Sequence, residues 1–520
     1  MMMMPSLWLA VFSHWGFFLH GGLCLFAHPV VTALNGDELY FLPDADWQAV
    51  EIITQGDSTT ADWSMPPIFD GLGAYIEDDD KLYFLVNHET AEATISQVQV
   101  DRTMLEARLA AMAAGSADTS DPFVLSAARA YDQVSADGGL TWEDAATAQF
   151  ARFCSSQVYL PGAFGSPLRG FVDTIYLTGE EVPLGRMVAL DPVQKELYIL
   201  SGTTGGAKDD SDVNPGMPFD SWENAALLDT GENDHVALVL SPDGGTTELK
   251  LYVGTKGLGA NGEVDETSFL ARNGLAYGAW YVLQGQLPVS VGSSSEGRFG
   301  TTREGALAST KFEDVDTNPN QPTQMILGDQ TDGVFLFDFD LTFSNSGKFD
   351  MAASSFSVSQ MVGDTFSIQT FLTGATGKLD GADNVDWTMA TEVDGMSFPS
   401  GLIFLNEDNA LGEVWELDPE NVSRDPVRIG HSALLVESSG VLDISSLLGY
   451  QPGHVLATST QGFPSSLTVL LRSKGSPAHP DIATSSLWFF RFGRRCKWWN
   501  AICFLQQVPR VLSSTFLVLL

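Results

Sequence analysis

A series of short strands, each followed by a turn, is the sequence feature that most limits how this chain can fold. Eight runs rich in β-branched and aromatic residues show the pattern, at residues 81–86, 174–178, 196–200, 236–240, 249–253, 333–338, 401–405 and 413–417. Several are followed by a turn pair such as Asp191-Pro192, Asp243-Gly244 or Asp418-Pro419. Because the strands do not alternate with helices over about 420 residues, the sequence predicts an all-β fold with radial repetition, a β-propeller. No clean short-period repeat indicates the number of blades.

Two insertions interrupt the strands. The stretch from Arg102 to Ala114 is helical in pattern, and Lys208 to Asp212 forms an acidic loop. A glycine-rich string, Gly257-Leu-Gly259-Ala-Asn-Gly262, also follows a strand, but an acidic loop comes next instead of the helix that a nucleotide site needs. We interpret the string as a turn. The sequence has no G-x-S-x-G, H-E-x-x-H or Walker motif, so serine hydrolases, zinc peptidases and ATPases lose their best sequence support.

The charge of the chain restricts its partners. Its 66 acidic and 26 basic residues give a net charge of −40. A field of that sign repels phosphate backbones and attracts divalent cations. The sequence therefore argues against nucleic-acid binding and favours metal binding.

The two ends of the chain differ from its middle. Residues 7–27 are apolar and residues 31–33 are small, so we expect residues 1–33 to be a signal or membrane-targeting segment of a secreted or cell-surface protein. Residues 35–461 carry the strand pattern. Residues 462–520 contain seven basic residues and one acidic residue, and their apolar runs are shorter than the ~20 residues that span a bilayer. This tail is either a membrane-surface anchor or a segment outside the evolved domain.

Carboxylates and amides recur where strands end. Asn87-His88-Glu89, Thr178-Gly-Glu180-Glu181 and Asn406-Glu407-Asp408 each follow a strand, and Asp314, Asp316 and Asn318 stand at alternate positions. Calcium needs six to eight oxygen ligands, which such loops supply. Any one cluster could equally be a solvated acidic loop. Several clusters at equivalent strand ends favour a metal centre, because cations would neutralise the repulsion between the carboxylates.

A resemblance to a known family rests on the order of short motifs along residues 35–461. The motifs are Asp70-Gly-Leu-Gly73, Asn87-His-Glu89, Arg152-Phe-Cys154-Ser-Ser, Leu177-Thr-Gly-Glu-Glu181, Trp222-Glu-Asn224, Val253-Gly-Thr-Lys256, Lys311-Phe-Glu-Asp314, Asp383-Asn-Val385, Asn406-Glu-Asp408 and Glu437-Ser-Ser-Gly-Val-Leu-Asp443. This series resembles the PhoX family of alkaline phosphatases, which are secreted β-propeller enzymes.

The resemblance implies a fold, an activity and a set of ligands. It implies a six-bladed propeller that hydrolyses phosphomonoesters and releases inorganic phosphate, with calcium and iron at its centre. Cys154 matches an iron-binding cysteine, and Glu180 and Glu181 match a paired acidic motif. The other matching metal ligands are Glu89, Glu313, Asn384 and Glu407. The substrates would be small phosphate esters, and we expect a monomer with membrane association, if any, through its termini. The resemblance does not identify a nucleophile.

Physical chemistry agrees with such a site and leaves other functions open. Bound cations would reverse the negative field and stabilise charge on the phosphoryl oxygens. A thiolate suits iron better than calcium. The mechanistic hypothesis is therefore an in-line attack on phosphorus between metal ions. A calcium-binding propeller that serves as a scaffold or adhesion module, and a hydrolase of phosphodiesters or lactones, are the alternatives.

Overall fold

The computed structural model describes residues 39–473, except 61, 78, 117–121, 207–212, 346, 364–378, 380 and 434–435. The expected targeting segment, the whole of the expected acidic loop insertion and residues 474–520 of the expected tail lie outside the described residues. Among the residues that are described, no helix is both long and apolar enough to cross a bilayer.

The described strands form six four-stranded antiparallel blades. The chain begins with β1 (Phe41–Pro43) and β2 (Trp47–Thr54), and blade 1 then consists of β3 (Phe69–Ile76), β4 (Lys81–His88), β5 (Thr94–Asp101) and β6 (Val124–Arg129). After the short strands β7 (Gln133–Ser135) and β8 (Glu143–Asp144), blade 2 consists of β9 (Phe153–Tyr159), β10 (Ile175–Glu180), β11 (Met187–Asp191) and β12 (Glu196–Ile199). The next strands are β13 (Asn214–Pro215), β14 (Trp222–Leu228), β15 (His235–Pro242), β16 (Thr247–Glu248), β17 (Lys250–Thr255) and β18 (Gly278–Gln284), and blade 3 consists of β14, β15, β17 and β18.

The second half of the chain continues the same arrangement. After β19 (Ser294–Gly300) and β20 (Ala308–Ser309), blade 4 consists of β21 (Phe312–Thr317), β22 (Gln324–Asp329), β23 (Gly333–Asp340) and β24 (Ser355–Gly363). The next strands are β25 (Ala382–Trp387), β26 (Thr391–Val393), β27 (Met396–Phe398), β28 (Ile403–Glu407), β29 (Glu413–Leu417) and β30 (Val427–Ser432), and blade 5 consists of β25 and β28–β30. The last strands, β31 (Ser438–Asp443), β32 (Val455–Thr460) and β33 (Ser466–Arg472), belong to blade 6. Strand β19 pairs with β18 and β24 and so joins the outer edges of blades 3 and 4.

The first strand of each blade lies innermost, and these six strands form a ring. Going round it, β3 contacts β9, then follow β14, β21, β25 and β31, and β31 contacts β3 again. The predicted all-β propeller is therefore confirmed, and the blade count that the sequence pattern did not reveal is six in the part of the chain described.

The hydrophobic core consists of six clusters, each between the facing surfaces of two neighbouring blades. Strand β4 shows why the strands are apolar on both faces. Leu82, Phe84 and Val86 pack towards blade 6, whereas Tyr83 and Leu85 pack towards blade 2. Successive side chains of a strand point to opposite faces, and here both faces are covered.

The two ends of the described chain close the propeller. Strand β2 completes blade 6 by pairing with β33, with Trp47 opposite Arg472 and Thr54 opposite Ser466. Similarly, β1 pairs with β30 at the outer edge of blade 5. Pairing of this kind leaves no open edge where the ring begins and ends. The propeller therefore extends to Arg472, beyond the boundary expected at residue 461. The expected boundary fell short because β33 is buried throughout and lacks the acidic residues that are typical of the preceding chain.

The predicted helical insertion is confirmed as α1 (Arg102–Ala113), which lies between β5 and β6. Asp101 caps it by accepting a hydrogen bond from the Met104 N–H at 3.0 Å. The next helix, α2 (Phe269–Arg272), begins well after the glycine string that ends at Gly262. That string forms turns, as expected, and a short 3-10 helix occupies Ser446–Leu448.

Candidate metal centre

Every innermost strand begins with a β-bulge. In blade 1, Phe69 lies opposite His88 and Leu72 opposite Val86, so the inner strand has one residue more than its partner. The same irregularity occurs at the start of β9, β14, β21, β25 and β31. A bulge bends a strand and changes the direction of its side chains. Six equivalent bulges therefore alter side-chain direction at one end of the propeller axis.

The second residue of each innermost strand forms the first ring of this end, and all six are buried. They are Asp70, Cys154, Glu223, Glu313, Asp383 and Ser439. The second ring is made by the residue that follows the second strand of each blade. Its members are Glu89, Glu181, Asp243, Gln330, Asp408 and Gln461. Because the two strands are antiparallel, the start of one lies beside the end of the other, and the two rings meet.

Seven of these side chains form one continuous cluster of groups that could hold a metal ion. Donor atoms lie within 4.8 Å of one another in three overlapping sets, which are Asp70–Glu89–Cys154, Cys154–Glu181–Glu223 and Glu223–Asp243–Glu313. Within the second set, the Cys154 thiol donates to Glu181 Oε2 at 2.9 Å. Gln461 extends the arrangement into blade 6 by donating from Nε2 to Asp70 Oδ2 and Glu89 Oε2, both at 2.9 Å.

Burial and mutual repulsion raise the pKa values of these acids. Burial raises the pKa of Asp70, and the neighbouring Glu89 raises it further. Burial likewise raises the pKa of Glu181 to about 7. The pKa of the Cys154 thiol rises for the same reason, with Glu223 adding to the effect. Without cations the cluster therefore holds protons that free carboxylates would have lost at neutral pH.

Two basic residues partly compensate the carboxylates, and each directly precedes an innermost strand. Lys311 Nζ lies 2.7 Å from Asp243 Oδ2 and 2.8 Å from Glu313 Oε1. Arg152 Nη2 lies 2.5 Å from Glu89 Oε1 and also pairs with Glu181 Oε2. Lys311 and Arg152 thus occupy equivalent positions, directly before β21 and β9 respectively.

The donor groups at this end fit a bound metal ion. Among the described residues, Asp383 Oδ2 and Asn224 Oδ1 are buried without a hydrogen-bond partner, which is costly unless a ligand satisfies them. The donor set is mostly carboxylate oxygen, as calcium requires. The one thiol, Cys154, adds a softer ligand that suits iron.

The structure brings together four of the seven residues predicted as ligands. These are Cys154, Glu181, Glu89 and Glu313. Glu180 lies elsewhere, because it pairs with Arg186 and accepts the Ala151 N–H at 3.0 Å. Glu180 is the last residue of β10 and Glu181 directly follows it, and the two side chains point to different partners, Arg186 and Arg152.

Glu407 and Asn384 also lie outside the three sets. Glu407 is fully buried as the last residue of β28 and accepts from Asn409 Nδ2 at 2.9 Å, while the next residue, Asp408, takes the place in the second ring. Asn384 accepts the Gly440 N–H at 2.7 Å and donates to Ser155 Oγ at 2.5 Å. It thus links the inner strands of three blades just below the first ring.

Five acids of the two rings were absent from the predicted ligands, and they are Asp70, Glu223, Asp243, Asp383 and Asp408. A sequence signal marks some of them. In four blades the first-ring residue directly follows an aromatic residue, as in Phe69-Asp70, Phe153-Cys154, Trp222-Glu223 and Phe312-Glu313. An aromatic residue followed by a ligating residue at a strand start was the detectable pattern.

Comparisons with known proteins show the fold. No protein-family model matches the sequence, and no curated protein matches it. The structure is similar to PhoX of Pseudomonas fluorescens in complex with vanadate, a transition-state analogue, with a TM-score of 0.54 and 11% identity over 84% of this chain and 97% of that one. Sqt1 of Chaetomium thermophilum, bound to the N-terminus of a ribosomal protein, aligns with a TM-score of 0.33 and 10% identity over 81% of this chain and 99% of that one. The chain therefore has a PhoX-like propeller fold.

Proposed function

We propose that this chain is a secreted, metal-dependent phosphomonoesterase of the PhoX type, which releases inorganic phosphate from small phosphate esters. The observation that carries the proposal is the overlap of three ligand sets through Cys154 and Glu223 at one end of the propeller axis. The similarity to a PhoX structure that contains vanadate, a transition-state analogue, supports it. The expected targeting segment is the basis for proposing secretion.

The residues of the cluster explain why cations are needed. A phosphate dianion is repelled by a chain of net charge −40, and the buried acids add to that repulsion wherever they are deprotonated. Calcium and iron bound there would polarise the phosphoryl oxygens and lower the pKa of bound water. Asp70, Glu89, Glu223, Asp243 and Glu313 would supply oxygen ligands. Cys154 would lose its proton on ligation and hold iron as a thiolate.

The oxygen ligands also position one another. Ser155 donates to Glu223 Oε1 at 2.6 Å through its hydroxyl and at 3.1 Å through its N–H. These bonds hold the orientation of Glu223 before any cation binds. Such outer contacts set the geometry of a metal site, because they restrict the rotamers of the ligands.

Hydrolysis of p-nitrophenyl phosphate by the purified chain tests the proposal. Activity in the presence of calcium and iron that a chelator abolishes, and that metal addition restores, is the expected result. The diester bis(p-nitrophenyl) phosphate and a simple lactone serve as comparison substrates. A folded, calcium-binding chain without phosphomonoesterase activity would overturn the proposal in favour of a scaffold, and faster hydrolysis of the diester or the lactone would assign a different ester.

A further inference from the structure

Arg152 is held in a defined position between two loops of the metal centre. Its N–H donates to the Thr90 carbonyl oxygen at 2.8 Å, and its own carbonyl oxygen accepts the Glu181 N–H at 2.8 Å. These bonds join it to the loop after β4 and to the loop after β10. The base of the side chain is therefore fixed above Glu89 and Glu181.

The guanidinium lies on the solvent side of the carboxylates. The Arg152 side chain is 46% exposed, whereas those of Glu89 and Glu181 are 15% and 11% exposed. Within the described part of the chain, Nη2 is the only side-chain atom of Arg152 that makes a hydrogen bond, and it is also the atom nearest to Glu89 and Glu181. The N–H groups of Nε and Nη1 thus remain free to donate to a ligand that approaches from solvent.

The backbone at Arg152 is unfavourable for a residue with a side chain. Its φ angle is +48°, in the left-handed region. The residue in the same place before β25, Gly381, also has a positive φ, at +79°. Glycine adopts this conformation without cost, whereas other residues lose about 1–2 kcal/mol. A strained residue at a candidate site is a reason to look for a role of its side chain.

Glu89 and Glu181 face two competing partners. Both belong to the sets of metal-ligating groups, and both are paired with Arg152. A cation of two or more charges at these carboxylates competes with the single charge of a guanidinium and repels it. Arginine binds phosphate well, because its planar group offers several donors to the phosphoryl oxygens.

We propose that Arg152 is the cation that binds the phosphoryl group of the substrate, and that it becomes available when metal binding displaces it from Glu89 and Glu181. In the metal-free protein it acts as an internal counter-ion. In the loaded protein it donates to phosphoryl oxygens that enter from solvent. This inference rests on the proposed phosphatase function.

Three variants of the full chain separate this role from a structural one. Arg152→Gln removes the charge, and Arg152→Lys keeps the charge but loses the planar group. Arg272→Gln is the matched control, because Arg272 is 34% exposed and pairs with Asp173 at 2.6 Å, before β10 and at the other end from Glu181. Calcium affinity without phosphate and the affinity of the metal-loaded protein for inorganic phosphate are measured by calorimetry.

We expect Arg152→Gln to weaken the binding of phosphate without weakening the binding of calcium. Arg152→Gln weakens phosphate binding at least about tenfold, because charge-assisted hydrogen bonds are lost, and Arg152→Lys lies between it and the wild type. Calcium binding by Arg152→Gln is as tight as in the wild type or tighter, since a competing charge is gone. Arg272→Gln changes neither affinity.

Two outcomes would overturn the inference. Phosphate affinity of metal-loaded Arg152→Gln within twofold of the wild type would exclude a phosphate contact. Calcium binding that is more than threefold weaker in Arg152→Gln would show that Arg152 arranges the carboxylates instead of competing for them. A wild type that binds phosphate through Arg152 but hydrolyses no phosphomonoester would overturn the proposed function alone.

Discussion

Cys154 Sγ lies 2.9 Å from Glu181 Oε2, although 27 residues separate them in the sequence. The contact forms because Cys154 is the second residue of β9 and Glu181 directly follows β10, its antiparallel neighbour. One hairpin of one blade thus places a thiol and a carboxylate, the two proposed ligands, side by side. The same geometry in the other blades surrounds this pair with acids.

The neighbours Glu180 and Glu181 are expected to differ sharply when neutralised. Glu181→Gln removes a proposed ligand and, if the proposed function holds, is expected to lower bound metal and reduce hydrolysis by about 100-fold or more, since even outer contacts of metal ligands contribute 10–100-fold. Glu180→Gln leaves metal content unchanged but weakens the pair with Arg186, and is expected to lower the free energy of unfolding by about 1–3 kcal/mol. Elemental analysis and urea unfolding measure the two effects. The reverse pattern would reassign the ligand to Glu180.

The metal-free protein is expected to lose stability as pH rises from about 5 to about 7.5. The folded-state pKa of Glu181, Asp314 and Asp316 is about 7, above the ~4.3 and ~3.9 of unfolded Glu and Asp. The folded chain therefore binds more protons than the unfolded chain, and this contribution to stability disappears as pH passes 7. His88, with its pKa lowered to about 4 by burial, acts in the opposite sense between about pH 4 and 6.5, and this single group offsets only part of the effect of the three carboxyl groups.

Thermal unfolding in the presence of a chelator measures this pH dependence. The midpoint is expected to fall by about 5 °C or more between pH 5 and 7.5, given several groups at about 1.4 kcal/mol per pKa unit. Excess calcium should flatten the profile, because cations take the place of the protons. A metal-free midpoint that rises over this range contradicts the raised carboxylate pKa values.

Gly71 sets the distance between the inner strands of blades 1 and 2. A Cβ atom there would lie 2.6 Å from the Cys154 carbonyl oxygen and 2.5 Å from Ser156 Oγ. Gly71→Ala is therefore expected to push β3 from β9, to lower the free energy of unfolding by about 1–3 kcal/mol and to weaken metal binding. Gly285→Ala is the control, since its nearest neighbour lies at 3.4 Å. Equal metal affinity and stability in both variants would rule out this role of Gly71.

Strand β33 is expected to be essential for stability, although it lies in the segment that the sequence assigned to a tail. Leu470 is fully buried between blades 5 and 6. Leu470→Ala is expected to cost about 2–5 kcal/mol in urea unfolding. Val427→Ala, at a site that is 42% exposed on β30, should change stability by less than about 0.5 kcal/mol. A Leu470→Ala variant as stable as that control would place β33 outside the propeller.

Local sequence patterns were sufficient to predict the class of fold. Short apolar strands separated by turns predict an all-β propeller. This pattern can be read from the sequence because periodicity and turn residues act over a few neighbouring positions. The run predicted at 81–86, for example, lies within β4. The clusters of acids at strand ends and Cys154 were equally visible, since they follow or begin strands. The helix after Asp101 was visible too, as a change of period.

The tertiary structure decided which members of those clusters meet. Because side chains alternate in direction along an extended chain, Glu180 and Glu181 are expected to point to opposite sides, as are Glu407 and Asp408. The alternation does not tell which of the two sides faces the propeller axis. Bulges at the strand starts and the neighbouring blades settle that choice. Closure of the ring by β2 and β33 depends on residues such as Trp47 and Arg472, which lie at opposite ends of the described chain. A periodic pattern determines local structure, whereas a metal centre and a closed ring require contacts between residues whose distance in sequence carries no local signal.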